Sequence, residues 1–481
     1  MRSMSDAASA RANTGSPTRR GFPWVYVLCA TAVAVALRLP GLFEDPWIDE
    51  IWSWGLAQSR ASATEIFLIR SSNSHALNTL WMWVSGDARD FVVYRLPAFV
   101  GGVACVPLAA RIASRAGRNA AVAAAWIASV AYLPIVYSGE ARGYAPMCCA
   151  SLAALECAWT WLDGGRRRWL VSTWISFTIG LLFQTLFVVA FVAIAVGVLA
   201  RLRGERRPRA LLRAALFLAP PLGITVAWWF FNVRHVFNAG APPWDLAEVL
   251  SDTVAVAFGL PRVGWAIALG AFLGLVIVIL DVRHLASLGN RLGVVQVGVV
   301  GVTSAVTVWL LWDDYLAARY FLVPIVFFGL SLARVLGRIA DSGRAGAVIA
   351  ALLFALFAAG NAAHTVPFLR APRGTIGELV RGMAASSSAN PIVVTGNFDF
   401  NVGALLEWHA RSLPVGRTVR YAARRDISAL APDFAVIEEP RFERDPVAMI
   451  QIGNVLYELV GTSRHAGPIG ADWAVYQRTS R

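Results

Sequence analysis

Lysine is absent from this 481-residue chain, so all 43 of its basic residues are arginine. Charge of either sign is scarce: 15% of residues are charged against 57% apolar, and the mean hydropathy is +0.56. A water-soluble chain of this length could not hide that much apolar surface, which excludes a soluble enzyme. Cysteine is scarce too. The five residues Cys29, Cys105, Cys148, Cys149 and Cys157 lie inside apolar runs, without CxxC or Cys/His spacing, and read as small packing residues. A Walker loop, a GxGxxG and an HExxH are all missing, so neither a cytosolic nucleotide donor nor a zinc hydrolase has a motif here. The apolar runs hold almost no ionisable groups, which weighs against a proton-coupled transporter.

What remains is a series of apolar runs of membrane-crossing length. About eleven read as spans, near 22–39, 91–112, 120–137, 143–162, 168–183, 185–201, 209–231, 263–280, 294–312, 317–334 and 345–366. The run between Arg168 and Arg201 is about two spans long and reads as a hairpin turning at Gln184-Thr185. The excess charge of +13 does not point to nucleic acid, because the arginines cluster in short loops between spans. With the N-terminus in the cytoplasm, 21 arginines fall in cytoplasmic segments and nine in outer segments before the C-terminal tail, the asymmetry the positive-inside rule expects. The polar tail 1–21 then precedes a retained signal anchor.

Two segments break the pattern. The stretch 75–86 is apolar but short, roughly 18 Å as a helix against a hydrocarbon core of about 30 Å. Leu77, Leu80, Trp81 and Val84 share one helical face, so it reads as a helix lying in the interface within a first outer loop, 40–90. After about residue 370 the composition turns mixed and polar. Strand-like runs at 392–395, 434–437, 455–460 and 473–477, with helical stretches at 376–385 and 402–411, describe a small α/β domain over 371–481. The fold expected is an all-α polytopic membrane bundle over 22–370 followed by this domain, on the outer (periplasmic) side of a plasma or inner membrane.

On that topology one membrane face collects Glu44, Asp45, Asp49, Glu50 and His75 from the first outer loop, and Glu140, Arg142 and Tyr144 from Ser-Gly-Glu-Ala-Arg-Gly-Tyr at 138–144. It also collects Gln184 at the hairpin tip, and Asp313, Asp314, Tyr315, Arg319 and Tyr320 before the tenth span. A carboxylate can take the proton of an acceptor hydroxyl attacking an anomeric carbon. Arginines bind phosphate oxygens in charge-assisted, often bidentate hydrogen bonds and stabilise a departing phosphate. Each residue also has a plainer reading. Paired acids are common in outer loops, arginines and tyrosines anchor helix ends at the headgroups, and His75 can simply hydrogen-bond in the interface. Glu156 and His364 lie near span ends and read as structural.

Taken in order, the residues resemble a known family. One span is followed by Trp47-Ile48-Asp49-Glu50, an interfacial helix opening at His75, Tyr94-Arg95-Leu96-Pro97-Ala98 entering the second span, Ser138 to Tyr144 after the third, and Ala318-Arg319-Tyr320 late in the bundle. This order is similar to that of the bacterial GT-C membrane glycosyltransferases related to the protein mannosyltransferases and the aminoarabinose transferase (glycosyltransferase family 39-like). The resemblance implies transfer of a hexosyl or pentosyl sugar from a polyprenyl-phosphate carrier to a glycan, lipid or protein acceptor, with inversion. It implies Asp49, with Glu50 beside it, as catalytic acid residues. His75, Glu140, Arg142, Tyr144, Gln184, Arg319 and Tyr320 would hold carrier phosphate or sugar, and Arg95 would be structural. Two departures stand out: His75-Ala76-Leu77-Asn78 replaces the His-Pro-Pro-Leu of many members, and arginine must replace the lysine some relatives use for the phosphate. No cofactor is required; a divalent cation serves some relatives, but no spacing here demands one. The competing readings are a flippase for lipid-linked saccharides and a non-catalytic envelope assembly protein.

Overall fold

The computed structural model describes residues 21–71, 75–88, 90–236, 245–287, 298–311, 316–371, 373–468 and 470–479. The N-terminal tail, Arg89, Arg291, Asp313, Asp314 and Tyr315 lie outside the described residues.

Every segment expected to span is helical over its described residues. In chain order these are α1 (Trp24–Arg38), then, after two helices of the first loop, α2 (Ile48–Gln58) and α3 (Ala76–Ser85), the helices α4 (Val92–Ala113), α5 (Arg118–Val130) and α6 (Tyr132–Ser138). They continue as α7 (Tyr144–Gly164), α8 (Arg167–Phe183), α9 (Phe187–Leu202), α10 (Arg207–Phe231), α11 (Leu246–Phe258), α12 (Gly264–Ser287), α13 (Thr303–Leu310), α14 (Leu322–Asp341) and α15 (Arg344–Arg370). Among the described residues six helices are long and apolar enough to cross a membrane, or seven when α5 and α6 count as one span bent by 56°. The bend has a local cause: Pro134 cannot donate to the carbonyl of Val130 and its ring crowds that turn. α7, α8 and α9 are shorter or more polar, yet they pack against one another, and α7 packs against α4. α11 was not anticipated. It is an extra helix capped by Asp245, whose side chain accepts from the Glu248 amide at 2.9 Å, and it packs on α12.

Exposure follows the membrane reading. Large apolar side chains such as Trp24, Leu222, Trp265, Phe272 and Leu356 face outward along the helices, as expected where lipid replaces water as solvent. Buried Arg38 on α1 donates to the carbonyls of Ala34, Ala128 and Ser129, while other inner charges are paired across helices. Arg334 on α14 holds Asp281 on α12 through two bonds of 2.7 Å with both side chains buried. Glu156 on α7 takes Arg111 and Arg115 from the end of α4, the structural role expected of it, and His364 bonds the Leu260 carbonyl at 2.9 Å.

α3 is the short helix expected from 75–86. Ala76, Asn78, Thr79 and Met82 pack inward, while Trp81 and Val84 are exposed on the other side, leaving an apolar stripe turned outward.

The C-terminal unit is a six-stranded mixed sheet with two longer helices, α16 (Ile376–Ser386) and α17 (Asp399–Ala410), and one short helical turn, Ile427–Leu430. Its strands are β1 (Ile392–Gly396), β2 (Val419–Tyr421), β3 (Phe434–Glu439), β4 (Met449–Ile452), β5 (Val455–Ser463) and β6 (Asp472–Arg478), in the order β2-β1-β3-β6-β5-β4. β1 pairs parallel with β2 and β3, and the rest pair antiparallel. β2 and β4, of three and four residues, carry too little periodicity to be visible in the sequence. Ile48 and Ile51, one turn apart on α2, are buried in this unit's core with Val380, Leu406 and Trp473. The helix that carries Asp49 is therefore clamped between the bundle and the α/β unit.

Candidate active site

α2 begins where Trp47, in extended conformation, hands over to Ile48, and the Trp47 amide donates to Glu50 Oε2 at 3.0 Å. Acids in a first helical turn are favoured by the macrodipole and by this cap, so their presence alone says little. The two neighbours part company at once. Glu50 is 1% exposed; its oxygens take Arg95 Nε at 2.9 Å, Arg95 Nη2 at 2.7 Å and the Ala141 amide at 2.6 Å. Burial would raise its carboxyl, but the Arg95 ion pair outweighs burial and brings it down to about 2. Arg95 spends its other donors on the carbonyls of Gly41, Leu42, Glu44 and Asp45. Glu50 is thus turned toward the scaffold that shapes the loop, with both oxygens taken up by Arg95 and Ala141.

Asp49 points the other way and keeps 29% of its side chain exposed. Arg142 Nη1 pairs with its Oδ2, and Arg319 Nη1 lies 3.7 Å from the same oxygen. Burial alone would raise its carboxyl; Arg142 and then Arg319 outweigh that and hold it below the ordinary aspartate value. Arg142 also donates from Nε to His75 Nε2 at 3.1 Å, so His75 carries its proton on Nδ1 and donates it to the Phe183 carbonyl at 2.9 Å. Burial, then the nearby Arg142, push that imidazole down to about 3, and it is neutral at physiological pH. His75 is thereby the rest against which Arg142 is aimed.

Arg142 reaches this position because the loop after α6 is tightly held. The Ala141 amide is taken by Glu50, the Ala141 carbonyl by Asn78 Nδ2, and Ser138 Oγ accepts from Arg38 Nε at 3.1 Å. Gly139 packs backbone to backbone on Gly41, where an added Cβ would sit 3.0 Å from the Gly41 Cα, and a Cβ on Gly143 would meet His75 Nδ1 at 2.9 Å. These close approaches explain the Gly-x-x-x-Gly spacing of the motif. Tyr144 is buried, with its ring 5.3 Å from His75 and 5.1 Å from Tyr137; Arg142 lies 5.3 Å above it. Tyr320 stands 6.4 Å from Tyr144, and its hydroxyl lies 3.4 Å from Arg319 Nη2. Gln184 caps α8 directly after Phe183, so the expected hairpin tip does border the site. Glu140 turns away from Asp49 and pairs with Arg373 at 3.3 Å.

Of the sequence candidates, the structure joins Asp49, His75, Arg142, Tyr144, Arg319 and Tyr320 in one constellation, with Gln184 at its border. Glu50 and Glu140 form the layer behind it. Sequence reasoning missed Arg373, whose carboxylate partners Glu44 and Glu140 lie 329 and 233 residues away in the chain. It also missed Asn78, whose polar side chain on an apolar helix was the available signal. Among the described residues no three His, Cys, Asp or Glu side chains gather as metal ligands, and Asp49 already faces two guanidiniums.

Glu44, across the loop, is raised by burial from 4.5 to about 7 even with Arg373 and Arg95 beside it. A raised value means the folded chain holds this proton more tightly than the unfolded one. That stabilisation is complete below about 4.5 and lost as pH rises through about 7. Glu44→Gln should track wild type in thermal melts near pH 5 and melt higher above about pH 8. A melting difference constant across that range would rule the titration out.

Beneath the constellation lies a small, partly open apolar pocket between the helices. Its lining includes Ala145, which follows Tyr144, and Leu322, three residues after Arg319, together with Cys105, Cys148, Ile325 and Phe328. Polar side chains stand at one end and a hydrocarbon-lined space lies next to them.

No protein-family profile and no curated protein matches the sequence. Solved structures do match the fold. The chain is similar to ArnT from Cupriavidus metallidurans in the apo state, at 13% identity and a TM-score of 0.52 over 94% of this chain and 97% of that one. It is also similar to the Archaeoglobus fulgidus oligosaccharyltransferase in the apo form, at 12% identity and a TM-score of 0.50 over 88% of this chain and 70% of that one. The likeness is one of fold.

Proposed function

From this GT-C fold we infer that the chain is a membrane glycosyltransferase that moves a sugar from a polyprenyl-phosphate carrier to a hydroxyl-bearing acceptor of the cell envelope. The observation that carries the reading is the meeting of Asp49, Arg142 and Arg319, from three distant parts of the chain, around one carboxylate oxygen. An assembly scaffold has no need of that convergence. A flippase calls for polar groups along the bundle, whereas here the buried Asp281–Arg334 pair is neutralised in place.

The chemistry is a single displacement. The acceptor oxygen attacks the anomeric carbon while its proton passes to Asp49, and the bond from that carbon to the carrier phosphate breaks with its electron pair going to the phosphate. Arg142 and Arg319 receive the charge that develops there. Both guanidiniums face Asp49 and keep it a weak base. A donor phosphate drawing them off raises the proton affinity of Asp49 when the acceptor needs it. Attack from the face opposite the phosphate inverts the anomeric centre. The apolar pocket adjoining Tyr144 and Arg319 supports a carrier with a hydrocarbon tail. The arginine asymmetry supports a site on the outer face of the membrane, with the α/β unit there too. The sugar is of hexose or pentose type on the resemblance alone.

The test is reconstitution of the full chain in lipid nanodiscs with polyprenyl-phosphate hexose and pentose donors, following release of polyprenyl phosphate. No turnover or binding with any such donor would sink the reading. Arg319→Ala is expected to weaken donor binding about tenfold or more, the loss of one charge-assisted phosphate contact. Unchanged affinity would make Arg319 a helix anchor.

A further inference from the structure

The chain leaving α15 sends one side chain back into the bundle. Arg373 is 3% exposed; its Nη1 lies 3.2 Å from Glu44 Oε2 and its Nη2 3.3 Å from Glu140 Oε1. Its backbone belongs to the α/β unit: the Ala466 amide donates to the Ala371 carbonyl at 2.7 Å, the Thr375 amide donates to Ser463 Oγ at 2.8 Å, and a Cβ on Gly470 would sit 2.9 Å from the Arg373 Cα. The same junction is latched a second time, because Asp45 Oδ2 accepts from the Gly377 amide at 2.9 Å in the first turn of α16. Glu140, gripped by Arg373, stands two residues before Arg142, and its carbonyl accepts from the Arg142 amide at 2.7 Å. One unbroken line of contacts therefore runs from the sheet through Arg373, Glu140 and Arg142 to Asp49.

We propose that Arg373 is a positioning residue for sugar transfer, holding the 139–143 loop through Glu140 so that Arg142 is aimed at Asp49, and that the α/β unit is in this way an integral part of the site. The proposal rests on the transferase reading for its kinetic consequence but not for its structural one. A guanidinium can bridge two carboxylates with separate nitrogens, whereas a lysine offers one point charge. Removal of the bridge leaves Glu140 buried without its counter-charge, and the loop must shift to rehydrate it.

The experiment uses the full chain in nanodiscs as wild type, Arg373→Ala, Arg373→Lys and Glu140→Gln. The first readout is amide hydrogen exchange by mass spectrometry over 138–144, which needs no substrate. Expected is a loss of protection there in Arg373→Ala, with α4 and α14 unchanged, a smaller loss in Glu140→Gln, and incomplete recovery with lysine. The second readout is steady-state transfer: Arg373→Ala should lower kcat about a hundredfold, the scale of a displacement near 1 Å at the reacting groups, with donor KM moving far less. Protection over 138–144 that matches wild type in folded Arg373→Ala would overturn the proposal. Should that variant fail to fold, wild-type protection in both Glu140→Gln and Arg373→Lys would overturn it equally. A wild-type chain inert toward every polyprenyl donor would retire the transferase reading, while the exchange result would still decide whether Arg373 sets the loop.

Discussion

Asp49→Asn is expected to lower sugar transfer by about a thousandfold while leaving the fold intact, the loss associated with removing a general base. The substitution keeps the size of the side chain and one oxygen for Arg142, so insertion and thermal stability should stay near wild type. It removes the charge that faces both guanidiniums, and with it the carboxylate proposed to take the proton. Turnover under saturating donor, measured with a thermal melt on the same preparation, separates the two effects. Near-normal turnover would take Asp49 out of the chemistry.

The adjacent residue should fail in a different way. Glu50→Ala leaves the Arg95 guanidinium, 0% exposed, with four backbone carbonyls and no counter-charge. Breaking one side of a buried pair costs about 3–5 kcal/mol, a large part of a total stability of order 5–15 kcal/mol. Most of the variant should be lost before purification. Glu50→Gln, which keeps the bond from Ala141, should cost less and retain most of its turnover per folded molecule. Measured as monodisperse protein recovered and as kcat on that fraction, the pair of variants tests the division of labour. A stable Glu50→Ala lacking only turnover would return Glu50 to the chemistry.

That division could not be read from two adjacent acids. Asp49 and Glu50 share a carboxylate, a loop and a first helical turn, and they are separated chiefly by the direction each side chain leaves the helix. Successive helical residues point about 100° apart, so one can face Arg95 on α4 while the other faces the open site. Whether such a difference matters depends on what lies on each side. Here Arg95 is 45 residues along the chain and Arg142 is 93. Glu140 shows the same limit. It sits in the motif that delivers Arg142, but the loop turns it to Arg373, supplied by a part of the chain with no local link to it.

The sequence by itself determined the bundle, the interfacial α3, the change of character near residue 370 and the pool of polar residues available at one face. Those features rest on local periodicity, hydropathy and loop charge, which act over a few turns of helix or one membrane thickness. Only the tertiary structure decided which acid is buried against Arg95 and which keeps an exposed face beside Arg142, that His75 is neutral and bonds Arg142, and that Arg373 joins the α/β unit to the loop. Pairing of buried charges is a matter of distance and desolvation between segments far apart in the chain, and no local pattern encodes it.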